Sequence, residues 1–87
     1  MKNKVYTIRE AVYDTISSFN WDEPFKCVDF FTMCRWNLRK KGNPAHPFDG
    51  TLQREMRRIR NEFGIVCIDR ARSIYMKKSD KANECEQ

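Results

Sequence analysis

Between Thr51 and Phe63 lies a short amphipathic segment with its positive charge gathered on one side. No other part of the sequence restricts the fold as much. At about 100° per residue, Leu52, Met56, Ile59 and Phe63 fall within roughly 60° of one another and predict a buried helical face. The opposite face carries Arg54, Arg57, Arg58 and Asn61. Glu55 and Glu62 lie on one flank, Gln53 and Arg60 on the other. A helix with a single apolar stripe must bury it against other elements. The spacing predicts this helix from about Leu52 to Glu62, capped by Asp49 or Thr51 and closed by Gly64.

Two earlier segments supply the partners. Thr7-Ile8-Arg9-Glu10 is a capping box. After it, Ile8, Ala11, Val12, Ile16 and Phe19 repeat at helical spacing, which predicts a helix from about Ile8 to Phe19. Asn20, Asp22 and Pro24 break it. Phe25-Lys26-Cys27 alternates as a very short strand would. From Val28 the pattern is helical again. Cys27, Phe31, Cys34 and Leu38 form the stripe, Val28 and Phe30 widen it, and the helix ends near Lys41 with Gly42 as its cap. Arg39, Lys40 and Lys41 suit the dipole of the last turn. Residues 42–50 form a Pro-containing loop. Beyond Gly64, Ile65-Val66-Cys67-Ile68 and Ser73-Ile74-Tyr75-Met76-Lys77 read as two strands around a turn at Asp69-Arg70-Ala71-Arg72.

The 87 residues allow one small domain, placed at residues 7–78, with residues 1–6 and 79–87 as flexible termini. Hydrophobic residues at 40% and aromatic residues at 13% suffice for a core and argue against a disordered chain. No run of about 18 apolar residues occurs, so no membrane-spanning helix is expected, and Met1-Lys2-Asn3-Lys4 leads into an amphipathic segment rather than a secretory signal. Of the four cysteines, Cys27, Cys34 and Cys67 sit in apolar patterns and read as core side chains, while Cys85 lies in the polar tail. Such usage suits a reducing compartment, the cytoplasm or a nucleus.

The net charge of +5 is unevenly placed. Residues 35–78 carry twelve Lys or Arg against Asp49, Glu55, Glu62 and Asp69, whereas the segments on either side are net negative. This asymmetry points to a polyanionic partner. Arginines crowded on one helical face repel one another, and a purely structural face would interleave glutamates. A phosphate-lined groove removes the repulsion. The guanidinium fork also matches guanine O6 and N7, Asn or Gln matches adenine, and the major groove admits one helix. The competing reading is a solvated charged face with pairs such as Arg58 with Glu55 or Glu62. At the hairpin tip, Arg70 and Arg72 suit phosphate or minor-groove contact, or simply a charged turn that aids solubility. Lys77 and Lys78 extend the same footprint.

These features together resemble the winged-helix superfamily over residues 7–78. The resemblance rests on element order and on Asp49-Gly50-Thr51-Leu52-Gln53-Arg54-Glu55-Met56-Arg57-Arg58-Ile59-Arg60, then Gly64, Ile65, an apolar strand, Asp69 and Ser73-Ile74-Tyr75. It implies an α+β, mainly helical fold, a three-helix bundle with a C-terminal two-stranded β-hairpin wing. Residues 51–63 would be the recognition helix and residues 65–77 the wing. The long loop 42–50 departs from the family, which usually has a tighter turn there. The implied partner is double-stranded DNA, with the helix at 51–63 in the major groove and wing contacts from 69–72. The candidate contact residues are Thr51, Gln53, Arg54, Arg57, Arg58, Asn61, Arg70 and Arg72. Analogy suggests a small transcriptional regulator or an accessory protein of a phage or mobile element.

Nothing in the sequence points to an enzyme. His46 is the single histidine, the apolar surroundings of Cys27, Cys34 and Cys67 keep thiols protonated, and no Gly-rich phosphate loop occurs. No cofactor or metal is expected. Two rival functions remain. Trp21, Trp36, Phe25 and Phe30 exceed what the helical stripes need, and Trp36 lies roughly 170° from the stripe of its helix. Exposed aromatics opposite the arginines would mark a homodimer or protein-partner surface. Aromatics beside the arginines would instead favour single-stranded nucleic acid.

Overall fold

The first helix is fixed at its start by a reciprocal cap. In the computed structural model, which describes residues 5–79, the Glu10 N–H donates to Thr7 Oγ1 at 3.1 Å. The Thr7 N–H donates to the Glu10 carboxylate at 2.8 Å. This is the expected capping box, and it opens α1 (Ile8–Ser18). The termini expected to be flexible, 1–6 and 79–87, lie mostly outside the described residues, as does Cys85.

The chain continues through β1 (Phe25–Lys26), α2 (Cys27–Lys40), α3 (Asp49–Arg58), α4 (Arg60–Phe63), β2 (Ile65–Asp69) and β3 (Ile74–Lys77). The fold is α+β; the described residues form four helices and one antiparallel three-stranded sheet in the order β1-β3-β2. The hairpin is therefore wider than two strands. β1 joins its free side, with Phe25 opposite Tyr75 and Lys26 opposite Ile74. On the other side of β3, Cys67 faces Tyr75 and Ile65 faces Lys77, and a bulge falls between Cys67 and Asp69.

α2 starts directly from β1 at Cys27, one residue before its expected start. Its end is set by Gly42, whose positive φ of 88° is easy only for glycine. The Gly42 N–H donates to the Arg39 carbonyl at 3.0 Å and the Asn43 N–H to the Leu38 carbonyl at 2.8 Å. Together they close the last turn in a Schellman motif. Cys27, Phe31, Cys34 and Leu38 are buried as the stripe predicts, and Phe30 is fully buried. Val28 is a correction: it is 61% exposed, because its position turns it to the outer side of the helix. Between α1 and α2 a buried polar pair is satisfied. Asn37 Nδ2 donates to Thr15 Oγ1 at 2.8 Å, and Thr15 Oγ1 donates to the Ala11 carbonyl at 2.7 Å.

The third helix differs from expectation at both ends. It begins at Asp49 with Phe48 as its N-cap, and no side chain caps it. Neither Asp49 nor Thr51 has that role. The Arg35 guanidinium instead bonds the Pro47 carbonyl at 2.9 Å and also takes the Asp49 carboxylate, drawing the loop onto α2. The helix is interrupted at Ile59, whose N–H donates to the Met56 carbonyl at 3.2 Å and also reaches the Arg57 carbonyl. That i→i−3 bond tightens the turn, and α4 follows. Leu52, Met56 and Phe63 are still buried on one side, so apolar spacing alone could not reveal the break. Gly64 ends α4 in the left-handed conformation at φ 61°.

The core joins Val12 and Ile16 of α1, Phe30, Phe31 and Cys34 of α2, Leu52 and Met56 of α3, and Phe63, Phe25 and Ile65 from around the sheet. Cys67 is exposed, not a core residue, because it lines an open groove beside β2. Lys77 also departs from its expected place in the surface charge. It is 1% exposed, its Nζ donates to the Ile16 carbonyl at 2.8 Å, and it lies over the rings of Trp21 and Phe63 at 4.4 and 5.2 Å.

Burial holds the Lys77 amine below its ordinary value. In the unfolded chain the amine keeps its proton up to about pH 10.4. Over the window just below that, the unfolded state binds more protons and stability rises with pH. Lys77→Met keeps the apolar stem and removes the titration. Denaturant titrations of both proteins between about pH 8 and 10.5 should show the wild type gaining stability relative to the variant. A constant difference would mean that the amine titrates as it does in water.

Candidate nucleic-acid interface

The acidic flank of α3 is used within the fold. Glu55 accepts from Arg9 Nε of α1 at 3.2 Å and pairs with Arg58 Nε at 3.5 Å. Glu62 accepts from the Tyr13 hydroxyl at 2.9 Å, and this bond, more than burial, raises the Tyr13 pKa. Glu55 of α3 and Glu62 of α4 are thus engaged from α1, and Asp49, in the first turn of α3, is taken by Arg35. Among the described residues, the side chains of Arg54, Arg57, Arg60 and Arg70 have neither an ion pair nor a hydrogen-bond partner, and all four residues are exposed.

Three of these arginines surround one groove. Gln53, Met56, Arg57 and Arg60 form its helical wall. Ile65, Cys67, Arg70, Ser73 and Tyr75 form the wall from the sheet and its turn. Its volume is about 590 Å³. Met56 and Ile65 belong to the core beneath, and Gln53 Nε2 reaches the Tyr75 hydroxyl at 3.4 Å. Among the described residues, no carboxylate lines the groove.

The expected contact residues divide among different surroundings. Arg57 and Arg70 meet at the groove, and Gln53 lies within it, half-buried and bonded to Tyr75. Arg54 stands free on α3. Arg58 is held by Glu55 in the intrahelical pair that the competing reading anticipated. Thr51 is half-buried in the first turn, its N–H on the Phe48 carbonyl at 3.0 Å. Asn61 is exposed on α4, past the break at Ile59. Arg72 leans back on Asp69, with its Nε 3.8 Å from the carboxylate, and its N–H also donates there at 3.2 Å. Arg60 is the groove residue absent from that set. Its position beside Gln53 on the helical flank was the available signal, but the flank becomes important only once the sheet stands beside it.

The aromatic residues sort clearly. Phe25 and Phe30 are buried. Trp21 is half-exposed but packs over Lys77, with its ring 6.2 Å from that of Phe63. Trp36 is 57% exposed on the outer side of α2. Neither tryptophan lines the arginine groove, and the aromatic residue there is the half-buried Tyr75.

The buried thiols offer no nucleophile. Burial pushes Cys34 up to about 11, and burial also raises Cys27, with smaller contributions from Cys67 and Asp49. Among the described residues no three His, Cys, Asp or Glu side chains gather as a metal site would need. No helix among them is long and apolar enough to cross a membrane. Set against protein-family models, curated proteins and solved structures, the chain matches none.

Proposed function

We propose that this chain is a winged-helix domain that binds double-stranded DNA, with α3 in the major groove and the β2–β3 turn at neighbouring phosphates. The observation that carries this reading is the set of four arginines, Arg54, Arg57, Arg60 and Arg70, whose side chains have no partner among the described residues, spread over α3, α4 and the turn of the hairpin. Within the fold these like charges can only repel one another. A phosphate backbone converts that repulsion into binding free energy. An α-helix with its side chains is about 10–12 Å across, which suits a groove about 12 Å wide. The sheet order β1-β3-β2 behind a helical bundle is compatible with a wing. Single-stranded nucleic acid is less favoured, because neither exposed tryptophan stands beside the arginines, and Tyr75, which does, is half-buried with its hydroxyl on Gln53.

Fluorescence anisotropy with labelled random duplex and single-stranded DNA, titrated at several salt concentrations, tests the proposal. Three phosphate contacts, from Arg57, Arg60 and Arg70, predict a slope of log K against log salt near −2.7, from about −0.9 for each contact, with duplex preferred. Absence of duplex binding at low salt would remove the proposal.

A further inference from the structure

The outer side of α2 carries a seam of Asp29, Met33, Trp36 and Lys40, with Val28 and Thr32 beside it, on which no other element packs among the described residues. All six are exposed. The seam residues are spaced by four, three and four, the repeat by which helices pair along their length. Within the seam, Met33 is 37% and Trp36 57% exposed, so its centre is apolar. Its ends are charged with opposite signs: Asp29 lies in the first turn and Lys40 in the last. Lys40 Nζ lies 4.4 Å from the centre of the Trp36 ring, which keeps the ammonium on the seam.

A four-three-four spacing is the same in both directions. Two copies of α2 laid antiparallel would therefore set Met33 against Trp36 of the other copy. The same two-fold axis brings Asp29 opposite Lys40 at both ends. A parallel pair would instead oppose Asp29 to Asp29 and Lys40 to Lys40, which repel. We propose that the occupant of this seam is a second copy of the chain, docked antiparallel through α2 in an isologous dimer. The opposite charges at the two ends select that arrangement over a parallel one. The apolar centre drives the association, with Trp36 as its anchor. The contact is that of two short helices and falls below the roughly 1,200 Å² of a stable interface, so a dissociation constant of about 10–100 µM is expected. The dimer does not depend on DNA binding, and it is tested without DNA.

Sedimentation equilibrium of the full chain under reducing conditions, up to about 1 mM, reads the association directly. The wild type should dimerise, and Trp36→Ala should weaken the dimer at least about tenfold. Asp29→Lys and Lys40→Glu should each be monomeric over the same range, because each places like charges at both ends of the seam. Mixed in equal amounts, these two variants should associate to within about threefold of the wild type, since each supplies the charge that the other lacks. Circular dichroism controls for folding, which changes at exposed positions should preserve. A wild type that stays monomeric throughout would overturn the proposal. So would a mixture that fails to associate where the wild type does.

Discussion

Alanine at Arg57, Arg60 and Arg70 together is expected to lower duplex affinity by about 10²- to 10⁴-fold, from about 1–2 kcal/mol for each lost charge-assisted contact. The salt slope should become shallower by about three, because three phosphate contacts disappear. These side chains are exposed and unpartnered among the described residues, so folding stability should stay within about 0.5 kcal/mol of the wild type. Arg58→Ala is the informative comparison. Its guanidinium already serves Glu55, so its removal should cost no more than about threefold in affinity. Arg54→Ala should relax base preference, whereas Arg70→Ala should weaken all sequences about equally. Unchanged binding in the triple variant would refute a DNA site at this groove, even if the protein bound DNA elsewhere.

Much of the fold was legible because the signals are local. The box at Thr7 and Glu10, the turn at Gly42 and the left-handed Gly64 each involve residues a few positions apart. The start of α3 was not legible. Arg35 fixes it from twelve and fourteen positions away, by holding Pro47 and Asp49, and no periodicity records such a contact. Lys77 shows the same limit. A lysine at a strand end reads as surface charge, yet here the Ile16 carbonyl, Trp21 and Phe63 converge on it from other elements.

The candidate site was legible as charge and less so as geometry. Helical spacing separated the arginines of α3 from its glutamates. It could not show that Tyr13 and Arg9 engage those glutamates, nor that the sheet stands beside Gln53 and Arg60. The outward trio of Arg54, Arg57 and Arg58 therefore divides, and Arg60 takes the place at the groove that Arg58 lacks. Cys67 was misjudged for a related reason. Its apolar neighbours in the strand suggested a covered side, but beyond Ile65 that side opens onto the groove.

Phe30→Ala is expected to cost about 3–5 kcal/mol. Phe30 is fully buried, with its ring 5.6 Å from that of Phe31 and 6.4 Å from that of Phe25, where α2 meets β1. A chain of 87 residues has a total stability of about 4–13 kcal/mol, so this loss removes about a quarter of it or more. It should lower the urea midpoint severely or prevent folding. Phe30→Leu, which leaves a smaller void, should cost about 1–2 kcal/mol and provide a measurable intermediate point. Val28 is the contrast, two residues away on the same helix but 61% exposed. Val28→Ala should change stability by no more than about 0.5 kcal/mol. The pair thus measures how α2 is rotated on the core. If Val28→Ala proved as costly as Phe30→Ala, the buried side of α2 would be misassigned, and Met33 and Trp36 would not share an outward seam.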